Sequence, residues 1–188
     1  MNSASLKETS IEELSDAQIS ALKAGAVYYG YDTVEHGDYI IGVEKMADVR
    51  FSMLHLFNKQ RAEVEPFLEA DALFDFQSVE RLENEHKFII FTVRHKGELV
   101  GDALFLLHGD YSCMMAEYAS DHGFYLLPEH RKGRLAKVLL QYAEDALRNL
   151  GVERIFMGDK SPVGAPDLEP FFKRAGYELM SRTFMKRL

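Results

Sequence analysis

The stretch from Ala116 to Leu150 constrains the chain more than any other, because three local rules succeed one another within it. Ala116 to Leu127 is rich in strand-forming residues, is bent at Gly123, and ends at Pro128, which cannot donate to a ladder. A short basic turn follows, Glu129-His130-Arg131-Lys132-Gly133-Arg134. From about Gly133 to Leu150, Leu135, Val138, Leu139, Tyr142, Ala146 and Leu150 recur at helical spacing on one face. Glu144 and Arg148 are spaced as an outward i,i+4 pair, and Gly151 is placed as the C′ stop. Arg154 to Gly158 then reads as a new strand, and strand, helix and strand so closely spaced imply parallel, right-handed pairing. Such a unit opens a crevice at the carboxyl ends of its strands. The turn aims orphan N–H groups, the positive end of a helix dipole and cationic side chains at that crevice, which makes it a phosphate site.

The strands before it are legible too. Lys87 to Arg94 is nearly continuous apolar sequence and reads as a central strand buried on both faces. His95-Lys96-Gly97-Glu98 is a turn, Leu99 to Leu107 the returning strand, and His108-Gly109-Asp110 its end. A short helix is expected over about Asp167 to Ala175, with Pro170 in its first turn, and a last strand from Tyr177 to Leu188. The N-terminal part reads as helical: one helix over 10–24 capped by Ser10, and another from Val43 to about Phe57, fading toward Pro66. The second carries Met46, Val49, Phe51, Met53, Leu54 and Phe57. Tyr28-Tyr29-Gly30-Tyr31 is an aromatic cluster that suits a core or an interface, and Asp32, Glu35, His36 and Asp38 read as a polar loop.

A chain of 188 residues suits one domain, with residues 1–86 shaping one side and residues 87–188 the core. No apolar run is long enough for a membrane-spanning helix, no basic region precedes an apolar leader, and the lone Cys113 fits a reducing compartment; the expected location is the cytoplasm. A net charge of −8 argues against nucleic acid or an anionic membrane as partner. Arg131, Lys132, Arg134 and Lys137 stand out as a local basic cluster, which suits a small anion. The histidines lack metal-ligand spacing, so no metal is expected.

Pro128-Glu129-x-Arg131, Ala136 five residues beyond the arginine, Leu139-Leu140 and the later Ala175-Gly176-Tyr177 together resemble the acetyl-CoA signature of the GNAT N-acetyltransferases. The family's turn reads Arg/Gln-x-x-Gly-x-Gly/Ala, and its last helix commonly ends in Gly-Phe or Gly-Tyr. The resemblance covers roughly residues 86–188, and the chain's last residues are also similar to acetyltransferase-like proteins of bacteriophages. It implies an α/β fold with a mixed central sheet, flanking helices and splayed parallel strands. It also implies acetyl-CoA as co-substrate and transfer of its acetyl group to an amine of a small molecule or protein. The pantetheine arm would lie along Phe124, Tyr125 and Leu126, with pyrophosphate at Arg131, Lys132, Gly133, Arg134, Leu135 and Ala136. Two departures stand out: Arg134 occupies the first motif glycine, and the tyrosine that many members use to protonate the leaving thiolate is Phe172 here.

Attack by an amine needs a proton acceptor. Glu117, Asp121 and His122 are the candidates on the third strand, with Tyr118 and Tyr125 beside them; Tyr125 is also a candidate proton donor. Phe172 and Arg134 favour an alternative, a non-catalytic acyl-CoA-binding protein on the same fold. A transferase using aminoacyl-tRNA would need a basic surface that this composition does not provide. A homodimer is compatible with the sequence.

Overall fold

The computed structural model describes residues 32–64, 75–109, 116–159 and 168–180. Among the described residues, six strands form one sheet in strictly sequential order: β1 (Val34–His36), β2 (Tyr39–Val43), β3 (Phe88–His95), β4 (Glu98–Gly109), β5 (Ala116–Leu126) and β6 (Arg154–Phe156). All neighbours are antiparallel except β5 and β6, which are parallel as the strand–helix–strand spacing implied. The run that read as a polar loop is the β1–β2 hairpin, turned at Gly37 (φ 61°), and β2 pairs with β3. The N-terminal part thus adds two strands to the sheet.

β3 is buried over its six residues from Phe88 to Val93, as its apolar run predicts. Lys96 (φ 51°) and Gly97 (φ 88°) make the tight turn into β4 with both residues left-handed, the geometry that matches the twist of a hairpin. Two helices, α1 (Met46–Val64) and α2 (Phe76–Asn84), cover one face of the sheet. Met46, Val49, Met53 and Leu56 of α1 point inward at alternating steps of three and four. Phe51 is out of phase with that stripe and is 86% exposed, contrary to the sequence reading.

On the opposite face lies α3 (Leu135–Asn149), whose Leu135, Leu139, Tyr142, Ala143, Ala146 and Leu147 pack on Ile89, Phe91, Ala103 and Phe105. Gly151 (φ 84°) ends it: the Val152 N–H reaches Leu147 O at 3.1 Å and the Gly151 N–H reaches Arg148 O at 3.0 Å. The expected Glu144–Arg148 pair is not formed. Arg148 bonds Asp145 at 2.6 Å, while Glu144 is half-buried and accepts the Tyr177 hydroxyl at 2.9 Å. The last helix, α4, is Glu169–Arg174 with Pro170 in its first turn. Residues 177–180 are not a strand, which corrects the expected start of the final one; 181–188 lie outside the described residues. So do 10–24, the Tyr28–Tyr31 cluster and Cys113.

Candidate active site

The site is built around the parting of β5 and β6. Their parallel ladder has three pairs and stops at Ser120↔Phe156, although β5 continues to Leu126. Two devices drive them apart. β5 is bulged opposite β4: Leu104 pairs with Gly123 and Phe105 with Asp121, leaving His122 as the extra residue. Asp121 Oδ1 then accepts the Gly158 N–H at 2.7 Å, so a side chain takes the place of the next ladder bond.

Beyond this fork one edge of β5 faces no strand among the described residues. The Leu127 N–H donates to Val100 O at 2.9 Å, so by alternation Tyr125 turns its backbone toward β4, while Phe124 and Leu126 present theirs to the crevice. Of the three residues expected to line the arm with backbone, Tyr125 therefore does not. Its ring lies on the α1 side, buried, and its hydroxyl donates to Glu63 Oε2 at 2.9 Å. Burial, with the Glu63 carboxylate next in importance, pushes that hydroxyl up to about 12.

The crevice opens onto the turn. A single 3-10 turn, Pro128–His130, leads from β5, and Tyr39 braces it through a 3.0 Å hydrogen bond to His130 Nδ1. Gly133 carries φ 81°, and nothing lies within 4 Å of where a Cβ would sit, so the glycine serves the backbone conformation. Arg134, at the family's glycine position, has an ordinary φ of −108° and is the N-cap of α3 with no side-chain cap bond. The left-handed residue has moved one position earlier, and Arg134 needs no glycine. With no side chain capping it, the first turn of α3 leaves its amide donors available to an anion, and Lys132, Arg134 and Lys137 are exposed around it. These residues fit a pyrophosphate.

Arg131 is arranged differently from the sequence expectation. Its Nε donates to Leu126 O at 2.8 Å, and its two terminal nitrogens grip Glu63 at 2.6 Å each. The guanidinium also lies over the Tyr125 ring, 5.1 Å from its centre. Glu63, near the end of α1, thereby ties that helix to the turn; the Arg131 hydrogen bonds, ahead of the opposing burial, hold its carboxyl below the usual range. No local sequence rule reveals a pair 68 residues apart.

At the fork, the second group the sequence missed comes together. His108 Nε2 lies 2.7 Å from Ser120 Oγ, and its ring stacks on Tyr118 at 4.5 Å and 12°. Tyr118 in turn meets Phe156 edge-on at 5.4 Å. Glu117 is in β5, but its side chain lies outside the described residues. His122 is exposed and edge-on to Phe88 at 5.7 Å. Phe172 is 8% exposed, packed between Phe171 and Tyr177. Phe124 stacks on Phe171 of α4, with ring centres 6.2 Å apart. Among the described residues no cluster of His, Cys, Asp or Glu forms a metal site, and no helix is long and apolar enough to cross a membrane.

Solved structures of acetyltransferases share this fold. An aminoglycoside acetyltransferase from an uncultured soil metagenomic sample, in complex with sisomicin, aligns with a TM-score of 0.63 at 17% identity over 80% of this chain and 97% of that one. An acetyltransferase of Trypanosoma brucei gives 0.60 at 17% identity, over 80% and 100% of the two chains. An acetyltransferase of Clostridium acetobutylicum, described as predicted and solved with acetyl-CoA, gives 0.57 at 12%, over 79% and 96%. No curated protein sequence matches the chain. The model of the acetyltransferase (GNAT) family, however, matches residues 50–177, which hold most of α1, the fork, the turn and α4, and the chain belongs to that family.

Proposed function

We propose that this protein is an acetyl-CoA-dependent N-acetyltransferase acting on an amine of a small molecule or protein. One observation carries the reading: a parallel pair parted at Ser120↔Phe156 leads to a helix start without a side-chain cap, set in a cluster of exposed cations. Acetyl-CoA supplies an acetyl group already activated as a thioester. The amides of Lys132, Gly133, Arg134, Leu135 and Ala136 bind its pyrophosphate, and the backbone of Phe124 and Leu126 orients its arm. Arg131 acts by shaping the turn through Leu126 and Glu63, and Phe172 walls the crevice.

Asp121 accepts the Gly158 amide on Oδ1 and the Tyr125 hydroxyl donates to Glu63, so each of these candidates has one polar atom engaged within the protein. Phe172 offers no hydroxyl, which leaves the departing thiolate to be protonated from water; a thiol of pKa about 8.5 is mostly protonated at neutral pH.

Titration calorimetry with acetyl-CoA and CoA tests the binding half, and release of CoA thiol with a panel of amines tests the transfer half. Absence of any CoA binding would sink the reading. Binding without turnover on any amine would favour a non-catalytic acyl-CoA-binding protein, the reading Phe172 supports.

A further inference from the structure

Resting on the acetyl-CoA reading, we propose that His108 and Ser120 form the proton relay of the transfer step, with Ser120 Oγ touching the attacking amine and His108 taking the proton. Three observations point there. First, Ser120 is the last residue of β5 paired to β6, so it stands at the closed end of the crevice. The arm entering at the turn runs along β5 from Leu126 toward the fork, a path of about 20 Å at roughly 3.3 Å per residue, and its reactive end arrives beside Ser120. Second, the hydroxyl and imidazole are already within 2.7 Å, the separation expected of an activated hydroxyl and its base. Third, the imidazole is fixed: Tyr118 stacks on it, and Phe156 of β6 holds Tyr118 from the other side. Both Ser120 and His108 are half-buried, so a substrate can reach them.

The step balances as follows. The amine nitrogen attacks the thioester carbonyl, the C–N bond forms and the C–S bond breaks. The amine proton passes to Ser120 Oγ while the serine's own proton moves to His108 Nε2. The thiolate takes a proton from water, and His108 returns its proton to solvent. Ser120 donates to Nε2 in this scheme, which places the ring hydrogen on Nδ1.

The test uses the whole wild-type chain with bromoacetyl-CoA, whose electrophilic carbon replaces the acetyl methyl. Peptide mass spectrometry should find the label on His108, with excess CoA preventing it. Label on Asp121 or His122 and none on His108, in protein that binds CoA, would overturn the relay and leave the acetyl-CoA reading standing. Failure to bind CoA would overturn both. A second arm needs an amine substrate: Ser120→Ala and His108→Gln should each lower kcat about a hundred-fold, leave CoA affinity within about twofold, and combine to no more than the worse single loss. Imidazole should restore part of the activity of His108→Ala, which a purely structural ring would not allow. An acetyl group found on Ser120 after incubation with acetyl-CoA alone would overturn the relay, because the serine would then be the nucleophile.

Discussion

Asp102 sits in the middle of β4, paired across the ladder with Thr92 and Tyr125, 1% exposed, and its Oδ1 has no hydrogen-bond partner. Burial alone pushes its carboxyl from 3.8 up to about 7. Well below its unfolded value of 3.8 the group is protonated folded or unfolded and costs nothing. As the pH rises toward 7 the unfolded chain ionises while the folded one does not, so stability falls across that window. Glu83, pushed up to about 7 chiefly by burial, adds to the same slope. Urea unfolding at pH 5 and pH 7 should show a decline that Asp102→Asn flattens by on the order of 2 kcal/mol. Glu63 and Glu44 work in the opposite sense. Both carboxyls lie below their usual value: Arg131 hydrogen bonds are the leading influence on Glu63, while at Glu44 the bonds from Arg94 and Thr92 outweigh the cost of burial. Their stabilisation is complete above the unfolded carboxylate range and is lost as pH falls through the folded values. A double-mutant cycle of Glu63→Gln with Arg131→Gln should give a coupling of about 1 kcal/mol at pH 7, shrinking at pH 3.

At the scale of elements, the spacing of β4 and β5 is set at Gly101. A Cβ there would stand 2.8 Å from Tyr125 O and 2.3 Å from Leu126 Cδ2, and the first of these is backbone that cannot rotate away. Gly101→Ala should cost roughly 1–3 kcal/mol in thermal unfolding and weaken acetyl-CoA binding, because it displaces the crevice edge itself. Gly151→Ala, at the far end of α3, should cost about 1 kcal/mol and leave binding intact. β3, α3 and the Gly151 stop were legible in the sequence because each follows a local period or a single-residue preference. β1 and β2 were not: Glu35, His36 and Asp38 obscure a short edge hairpin whose Val34 and Ile40 remain exposed. The basic turn was visible as letters, but the commitment of Arg131 to Glu63 depends on where α1 ends. His108 and Ser120 lie twelve residues apart on neighbouring strands, and only the register of β4 against β5, bulge included, reveals that they meet.

Over the whole molecule, a chain of net charge −8 gathers exposed Lys132, Arg134 and Lys137 at one mouth. Attraction of a polyanionic ligand to that mouth is screened by salt, so the acetyl-CoA dissociation constant should rise several-fold between about 50 and 500 mM sodium chloride, read by calorimetry. The sequential strand order has a further consequence, for how the molecule comes into being. β3, β4 and β5 are laid down one beside the other, β2 reaches β3 across the two covering helices, and β6, the latest of the six in the chain, must wait for the whole of α3 to cross over and then gains three pairs. Contacts between distant parts of a chain form slowly. A chain leaving the ribosome would finish its meander first and gain its crevice in one late docking event, so maturation and competence to bind would coincide.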